Sequence, residues 1–415
     1  MALANSRSLA KYNMDIDSSL RSEKDHLYSM LPVVSAGYSA SMNYLDRNWG
    51  FVNPIDTLSA GVTLEVTQKI FEGGKSFIRK ALNSIATESV RKGALAEYFN
   101  VLASADDAYY AVLESAAALE SAESSLQSSV AGFAIAEIRQ ASGMINHGEF
   151  LRAMADKESM ESSRNQARRR LALNISKLKT LTGAEGTFEL EQIDFNAYEE
   201  LIQFLAGISD EHAEALYERF WKVLAASNPS LARSAMSNER AEKNLTLAKR
   251  DYAPTISASV ISTGFDYTTA GGFGTRSGGG ISIRGSIPLD FWVMNNRIAK
   301  SKNDRDSAAL DYINAEVTLE NDLQSTLLDV FSRAETILSS RRSLDYSEKL
   351  FEFAMERYRL LQSSVSDLGD ASTRLIDSRN RYISAHYDFL RILSRLRSMG
   401  AVDDEEKLIA IFLAG

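Results

Sequence analysis

Side chains able to move protons, hold metals or attack carbonyls are sparse in this chain and poorly grouped. There is no cysteine, so thiol catalysis, disulfide scaffolds and Cys-based zinc sites are excluded. The four histidines, His26, His147, His212 and His386, are scattered and show no paired ligand spacing such as H-E-x-x-H. They read as surface or packing residues. The run from Gly272 to Gly280 superficially suggests a phosphate loop, but it lacks G-x-x-x-x-G-K-[ST] and a strand is expected after it. A long extracellular-type loop is the better expectation. Asn174-Ile175-Ser176 and Asn244-Leu245-Thr246 fit glycosylation sequons inside predicted helices. No catalytic residue, cofactor site or metal site is assigned. The informative polar residues lie at two predicted helix–helix breaks, Arg139–Glu149 and Tyr358–Asp370. In the second, Asp367 and Asp370 stand at i,i+3 and share one helix face.

The elements that carry these breaks follow from proline and glycine. Of 415 residues only five are proline, at 32, 54, 229, 254 and 288. Proline interrupts helix interiors, so 55–228 and the stretch after 288 are free to form long helices. Their Ala-, Ser-, Leu-, Glu- and Arg-rich composition favours helix. Two short segments alternate instead. Val34, Ala36, Tyr38, Ala40, Met42 and Tyr44 alternate with small polar residues, as do Leu58, Ala60, Val62, Leu64 and Val66. This period of two predicts strands buried on one face. A weaker pair starts at Ile256, Ala258 and Val260 and resumes at Ile281, Ile283 and Ile287. Between the pairs the period is seven. Leu95, Leu102, Tyr109, Ala116 and Val130, with Tyr98, Ala105, Val112, Leu119, Leu126 and Phe133, form an a/d seam. Leu375, Tyr382, Phe389 and Leu396 repeat by seven again. A helix over 76–142 would run about 100 Å.

The chain also repeats itself. Ser8-Leu9-Ala10-Lys11 returns as Ser230-Leu231-Ala232-Arg233, and Asp107-Ala108-Tyr109 as Asp329-Val330-Phe331. Ser176-Lys177-Leu178-Lys179 returns as Ser394-Arg395-Leu396-Arg397. The offset stays near 220, the signature of a duplicated unit. The expected organisation is a first repeat over 1–183 with strands about 33–44 and 57–67. A linker covers 184–228, a second repeat 229–400 with strands about 255–265 and 280–288, and a tail 401–415.

This duplicated order resembles the TolC-like outer-membrane efflux protein family. Gln68-Lys69-Ile70-Phe71-Glu72-Gly73-Gly74 is similar to the family's Q-x-L-F-x-G-G after the second strand, and Ile287-Pro288-Leu289 to its second-half I-P-L. Asp107-Ala108-Tyr109-Tyr110 resembles its D-A-Y-Y; Asp290 departs from the usual Phe. The resemblance implies a mainly α fold with β: long antiparallel coiled-coil helices form a tunnel through the periplasm. Four transmembrane β-strands per chain complete one shared barrel in a homotrimer. It implies a passive exit duct in the bacterial outer membrane for drugs, small molecules or proteins, within a tripartite efflux or type I secretion system. A periplasmic adaptor and an inner-membrane transporter are the implied partners, and 184–228 and 401–415 the equatorial belt. Physics supports pooling of chains independently, because four strands cannot close a barrel and open edges cannot face lipid.

The resemblance also assigns roles at the breaks. Gly143 matches the tip glycine, with Ser363 as its departing counterpart; Gly143, Met144, Ile145, Ser364 and Val365 would form the adaptor-docking tip. Asp367 and Asp370 would ring the entrance and concentrate cations; a solvated acidic face is the alternative. Tyr358 and Glu149 match a tyrosine–acid latch, Tyr358 as a packing residue being the alternative. The accompanying arginine falls at Ser363, so that second latch is missing. Tyr44, Trp49 and Phe51, and on the other side Phe71, Phe291 and Trp292, would mark two bilayer interfaces, or be scattered loop aromatics.

The net charge of −9 argues against general nucleic-acid binding. No run of about 20 apolar residues exists, which excludes a transmembrane helix but not a barrel strand. The N-terminus has no basic-then-apolar pattern and reads as mid-helix, so the natural N-terminus with any signal peptide is expected to precede it. A soluble coiled-coil structural or adaptor protein of the periplasm is the other architecture compatible with these patterns.

Overall fold

A computed structural model describes residues 1–43, 57–186, 190–268, 272–274 and 278–413. Tyr44, Trp49 and Phe51, and with them the loop between the first two strands, lie outside the described residues. Short helix α1 (Ala2–Asn5) and α2 (Arg7–Tyr28) precede β1 (Val33–Asn43) and β2 (Thr57–Phe71). Then come α3 (Lys75–Ala141), α4 (His147–Thr182), a 3-10 turn Phe195–Tyr198, α5 (Glu199–Ala206), α6 (Asp210–Ser227) and α7 (Pro229–Lys249). The second half continues with β3 (Thr255–Thr268), β4 (Gly272–Gly274), β5 (Gly278–Ser286), α8 (Phe291–Arg359), α9 (Val365–Gly400) and α10 (Glu405–Leu413). Two compact units result. One comprises Met1–Lys11, Gly93–Leu231 and Ala315–Gly415; the other comprises Tyr12–Lys92 and Ala232–Asn314.

The second unit holds the sheet. β1 pairs with β2, β2 with β3, and β3 with β5, all antiparallel. The alternation read from sequence sets the faces: Val34 lies opposite Val66, Ala36 opposite Leu64 and Tyr38 opposite Val62. Val260 continues this apolar row against Val66, then Ile281 against Val260. Tyr38 is 75% and Ile281 81% exposed, so the apolar face of the sheet is bare. The strands differ in length from the sequence reading. β2 runs on through Gln68–Phe71, so that motif ends the strand instead of following it. β5 stops at Ser286, before Ile287 and Pro288, because proline cannot donate to the ladder. The glycine-rich segment is not all loop: Gly272–Gly274 pairs with Asp266–Thr268.

The strand-to-helix junction explains the Gly73-Gly74 pair. Gly73 has φ +65°, and a Cβ there would lie 2.1 Å from that of Ala253. Beside it, Asp251 accepts from Lys75 at 2.8 Å and from Arg297 at 2.6 Å. Burial alone would raise the Asp251 carboxyl, but these hydrogen bonds outweigh it and hold it below the ordinary range.

In the first unit α9 buries three of the four residues of the expected seven-residue repeat, Leu375, Phe389 and Leu396, and leaves Tyr382 half-buried. α3 departs from its predicted seam. Of the predicted positions Val112 is buried, Leu95 and Val130 are exposed and the others are half-buried; Phe99, Leu113, Ser115, Ser121 and Ala136 are buried beside them. The small residues among them let neighbouring helices approach. Around 184–228 and the C-terminal tail, α10 packs on α5 and α6, with Phe220 and Phe412 rings 4.8 Å apart. Asn228 closes this segment onto its neighbours. Its Oδ1 caps α7 at Leu231 N (2.8 Å), and its Nδ2 donates to Met399 O (2.9 Å).

Candidate functional site

The two helix–helix breaks have the same construction, offset by 218 residues (143 to 361, 183 to 401). At the end of α3, Gly143 N donates to Gln140 O (2.9 Å) and Met144 N to Arg139 O (2.8 Å). At the end of α8, Leu361 N donates to Tyr358 O (3.3 Å) and Gln362 N to Arg357 O (2.8 Å). Both are closures through a left-handed residue, with φ +71° at Gly143 and +67° at Leu361. The structural counterpart of Gly143 is therefore Leu361, not Ser363. Sequence spacing missed it because a leucine in this conformation carries no turn signature. The same holds 40 residues on, where Gly183 (φ +67°) is matched by Ala401 (φ +48°).

Each following helix starts on a side-chain cap. Asn146 Oδ1 accepts from Glu149 N at 2.9 Å. Ser364 Oγ accepts from Asp367 N at 3.2 Å, and Asp367 Oδ2 accepts from Ser364 N at 3.0 Å. This is a reciprocal capping box. Hydrogen bonds from the Ser364 backbone and hydroxyl hold the Asp367 carboxyl below its usual range. Asp367 is thus a helix-capping residue, and it and Asp370 are both exposed. Asp156 of α4, which sequence spacing did not single out, stands near Asp370. Burial raises its carboxyl, Arg152 opposes the rise and the Asp370 charge adds to it.

The docking residues separate. Gly143 and Met144 are exposed, Met144 by 61%, and Ile145 is half-buried. Ser364 is half-buried and capping, whereas Val365 is 5% exposed and sits in the apolar cluster of Ala136, Ala153, Ala354, Tyr358 and Leu368. A valine so placed packs the joint and offers no docking surface.

The tyrosine–acid contact does not form. Tyr358 is 1% exposed, and its hydroxyl is buried without a hydrogen-bond partner. It lines a cavity of about 50 Å³ with Phe133, Asp156, Met355 and Leu368. Burial raises the phenol, Arg139 opposes the rise and Glu149 adds to it, so Glu149 acts on Tyr358 through space only. The partner is instead Arg139. Its guanidinium stacks 4.0 Å from the ring centroid and its Nη2 donates to Tyr358 O. Arg139 was visible in sequence only as one polar residue of a break.

Elsewhere each histidine has a neighbour of its own: His26 meets Ser76 O at 2.8 Å, and His386 lies between the rings of Phe195 and Tyr382. Phe71 at the end of β2 and Phe291 and Trp292 at the start of α8 are exposed, and the Phe291 ring stacks on Tyr252. Among the described residues no helix is long and apolar enough to cross a membrane.

Comparison with known proteins adds to this geometry. The family model for outer membrane efflux protein matches residues 1–184 and 222–401. Outer membrane protein TolC of Escherichia coli (strain K12) is 20% identical, over 97% of this chain and 81% of its own length. The outer-membrane channel OprN superposes with a TM-score of 0.79 at 17% identity, covering 96% of this chain and 88% of that one. The Campylobacter jejuni CmeC outer membrane channel superposes with a TM-score of 0.75 at 16% identity, covering 98% and 87%.

Proposed function

The chain belongs to the outer membrane efflux protein family, the outer-membrane channels of tripartite efflux systems, and from that premise we propose a homotrimeric passive exit duct. One observation carries this. The four long strands expose a continuous apolar face, and β1 and β5 each keep an edge without a partner strand among the described residues. A bare apolar sheet is stable only in lipid, and open edges there must be closed by other chains. Tyr38, Val34, Ile281 and Ile283, all exposed in the single chain, are the surface that outer-membrane lipid would cover. Outward Leu95 and Val130 on α3 are suited to cover by neighbouring copies.

Drive and opening come from an inner-membrane transporter and a periplasmic adaptor. The adaptor docks at the turn of Gly143, Met144 and Ile145 and its duplicate at Ser364; buried Val365 supports that turn from beneath. Asp367 and Asp370, repeated by symmetry, form an acidic ring that favours cations. Detergent extraction followed by native mass measurement tests the assembly. A trimer is expected; a monodisperse detergent-free monomer with folded strands would refute it.

A further inference from the structure

We infer that Arg139 is a positioning residue that holds the duct's tip closed, doing so through the carbonyl and ring of Tyr358; this rests on the duct proposed above. Arg139 ends α3, and Tyr358 ends α8. The contact therefore ties one helical hairpin, α3–α4, to the other, α8–α9. Arg139 is 5% exposed, and a guanidinium so buried is stable only where specific acceptors offset its desolvation. It meets the carbonyl of Tyr358, whose other donor is the Leu361 N–H of the closing turn at 3.3 Å. A cation there also opposes the negative end of the helix dipole.

The duplicated turn shows that this arrangement is selective. At the equivalent position Arg357 Nη2 donates to Gln362 O at 3.0 Å, within its own turn. One arginine crosses between hairpins and its duplicate closes on itself. The crossing is also incomplete: Arg139 Nε and Tyr358 Oη are both buried without partners. A half-satisfied buried polar group holds less firmly than a saturated one. Such a contact can close a tip and still yield when the hairpins are displaced.

Single-channel recording and hydrogen exchange on the intact trimer test this. Arg139→Met keeps the length of the side chain and removes the donors and the charge. The open fraction should rise about tenfold, the scale of one lost charged hydrogen bond. Amides at 140–146 and 360–366 should exchange faster. Arg139→Lys should restore part of the closure, and Arg357→Met should leave the open fraction within about twofold of the parent. A purely structural arginine would lower the thermal stability of the trimer without changing the open fraction. An unchanged open fraction or unchanged exchange in Arg139→Met overturns the clamp. If that variant does not assemble, Arg139→Gln decides, because it removes the charge and shortens the reach to the Tyr358 carbonyl; a closed state as tight as the parent's overturns the clamp. Lack of any channel from the unaltered protein counts against the duct, and exchange at the two turns still decides the clamp.

Discussion

Replacing Tyr358 by phenylalanine separates two accounts of the tip. The ring that packs under Arg139 at 4.0 Å is kept, and only a hydroxyl that has no partner is removed. A buried hydroxyl left unpaired costs about 1–3 kcal/mol, and the space it vacates is one oxygen beside an existing cavity. Tyr358→Phe should therefore be neutral or stabilise the trimer by up to about 2 kcal/mol, with its open fraction unchanged. A hydroxyl bonded to the Glu149 carboxylate would contribute about 1.5–3 kcal/mol. Its loss from the closed state would multiply the open fraction by roughly 10 to 100. Thermal unfolding in detergent and single-channel recordings on the same preparation measure both quantities. A destabilised trimer together with a tenfold or larger gain in opening would refute the unpaired hydroxyl and restore the tyrosine–acid latch.

Other perturbations have equally definite outcomes. Leu361→Gly relieves a left-handed leucine at a cost of about 1–2 kcal/mol and adds unfolded-chain entropy of about 0.4–1 kcal/mol; calorimetry should show a net gain of up to about 1 kcal/mol. Ser364→Ala removes the cap of α9 and should lower stability by about 0.5–2 kcal/mol, read by the same calorimetry. Asp367→Asn combined with Asp370→Asn should reduce cation over anion permeability by roughly twofold or more, with the trimer intact; unchanged reversal potentials would make them ordinary surface charges. Burial holds His386 below its ordinary value of 6.5, against the hydrogen bond it donates to Tyr382 O, with Arg341 lowering and Glu199 raising it. Its contribution is full above about pH 6.5 and is lost as pH falls toward the folded value, because the unfolded chain takes up the proton first. His386→Phe should flatten that part of the stability–pH curve.

The sheet was legible because its pattern has a period of two and its apolar rows pair strand to strand. The seven-residue repeat of α9 was legible for the same reason: Leu375, Phe389 and Leu396 are large, regular and buried. The seam of α3 was legible only in part, because its buried face mixes Phe99, Val112 and Leu113 with serine and alanine, while Leu95 and Val130 are exposed. At the tip, chain order located the breaks, but the contact that joins them spans 219 residues, and no spacing rule reaches that far. Tyr358 was visible as a chemically equipped residue, while its unpaired hydroxyl is a property of packing alone. The residue equivalent to Gly143 was hidden because its backbone conformation persists where the glycine does not.

The length of the helices changes what the Arg139 contact has to withstand. Within the first unit α3 runs from Gly93 to Ala141 and α8 from Ala315 to Arg359, so each is a rod of about 70 Å there. Tilting such a rod by one degree about one end moves the other by roughly 1.2 Å, over a third of the length of a hydrogen bond. Arg139 and Tyr358 lie at the last turns of these rods, where the moment arm is longest. A restraint there opposes rotation with the greatest torque per unit force, so a single half-satisfied contact is mechanically sufficient. The same restraint placed midway along the rods would need twice the force for the same effect. Conversely, a push of a few ångströms at this end is a rotation of only about two or three degrees for this part of the helix, small enough to leave its packing unbroken.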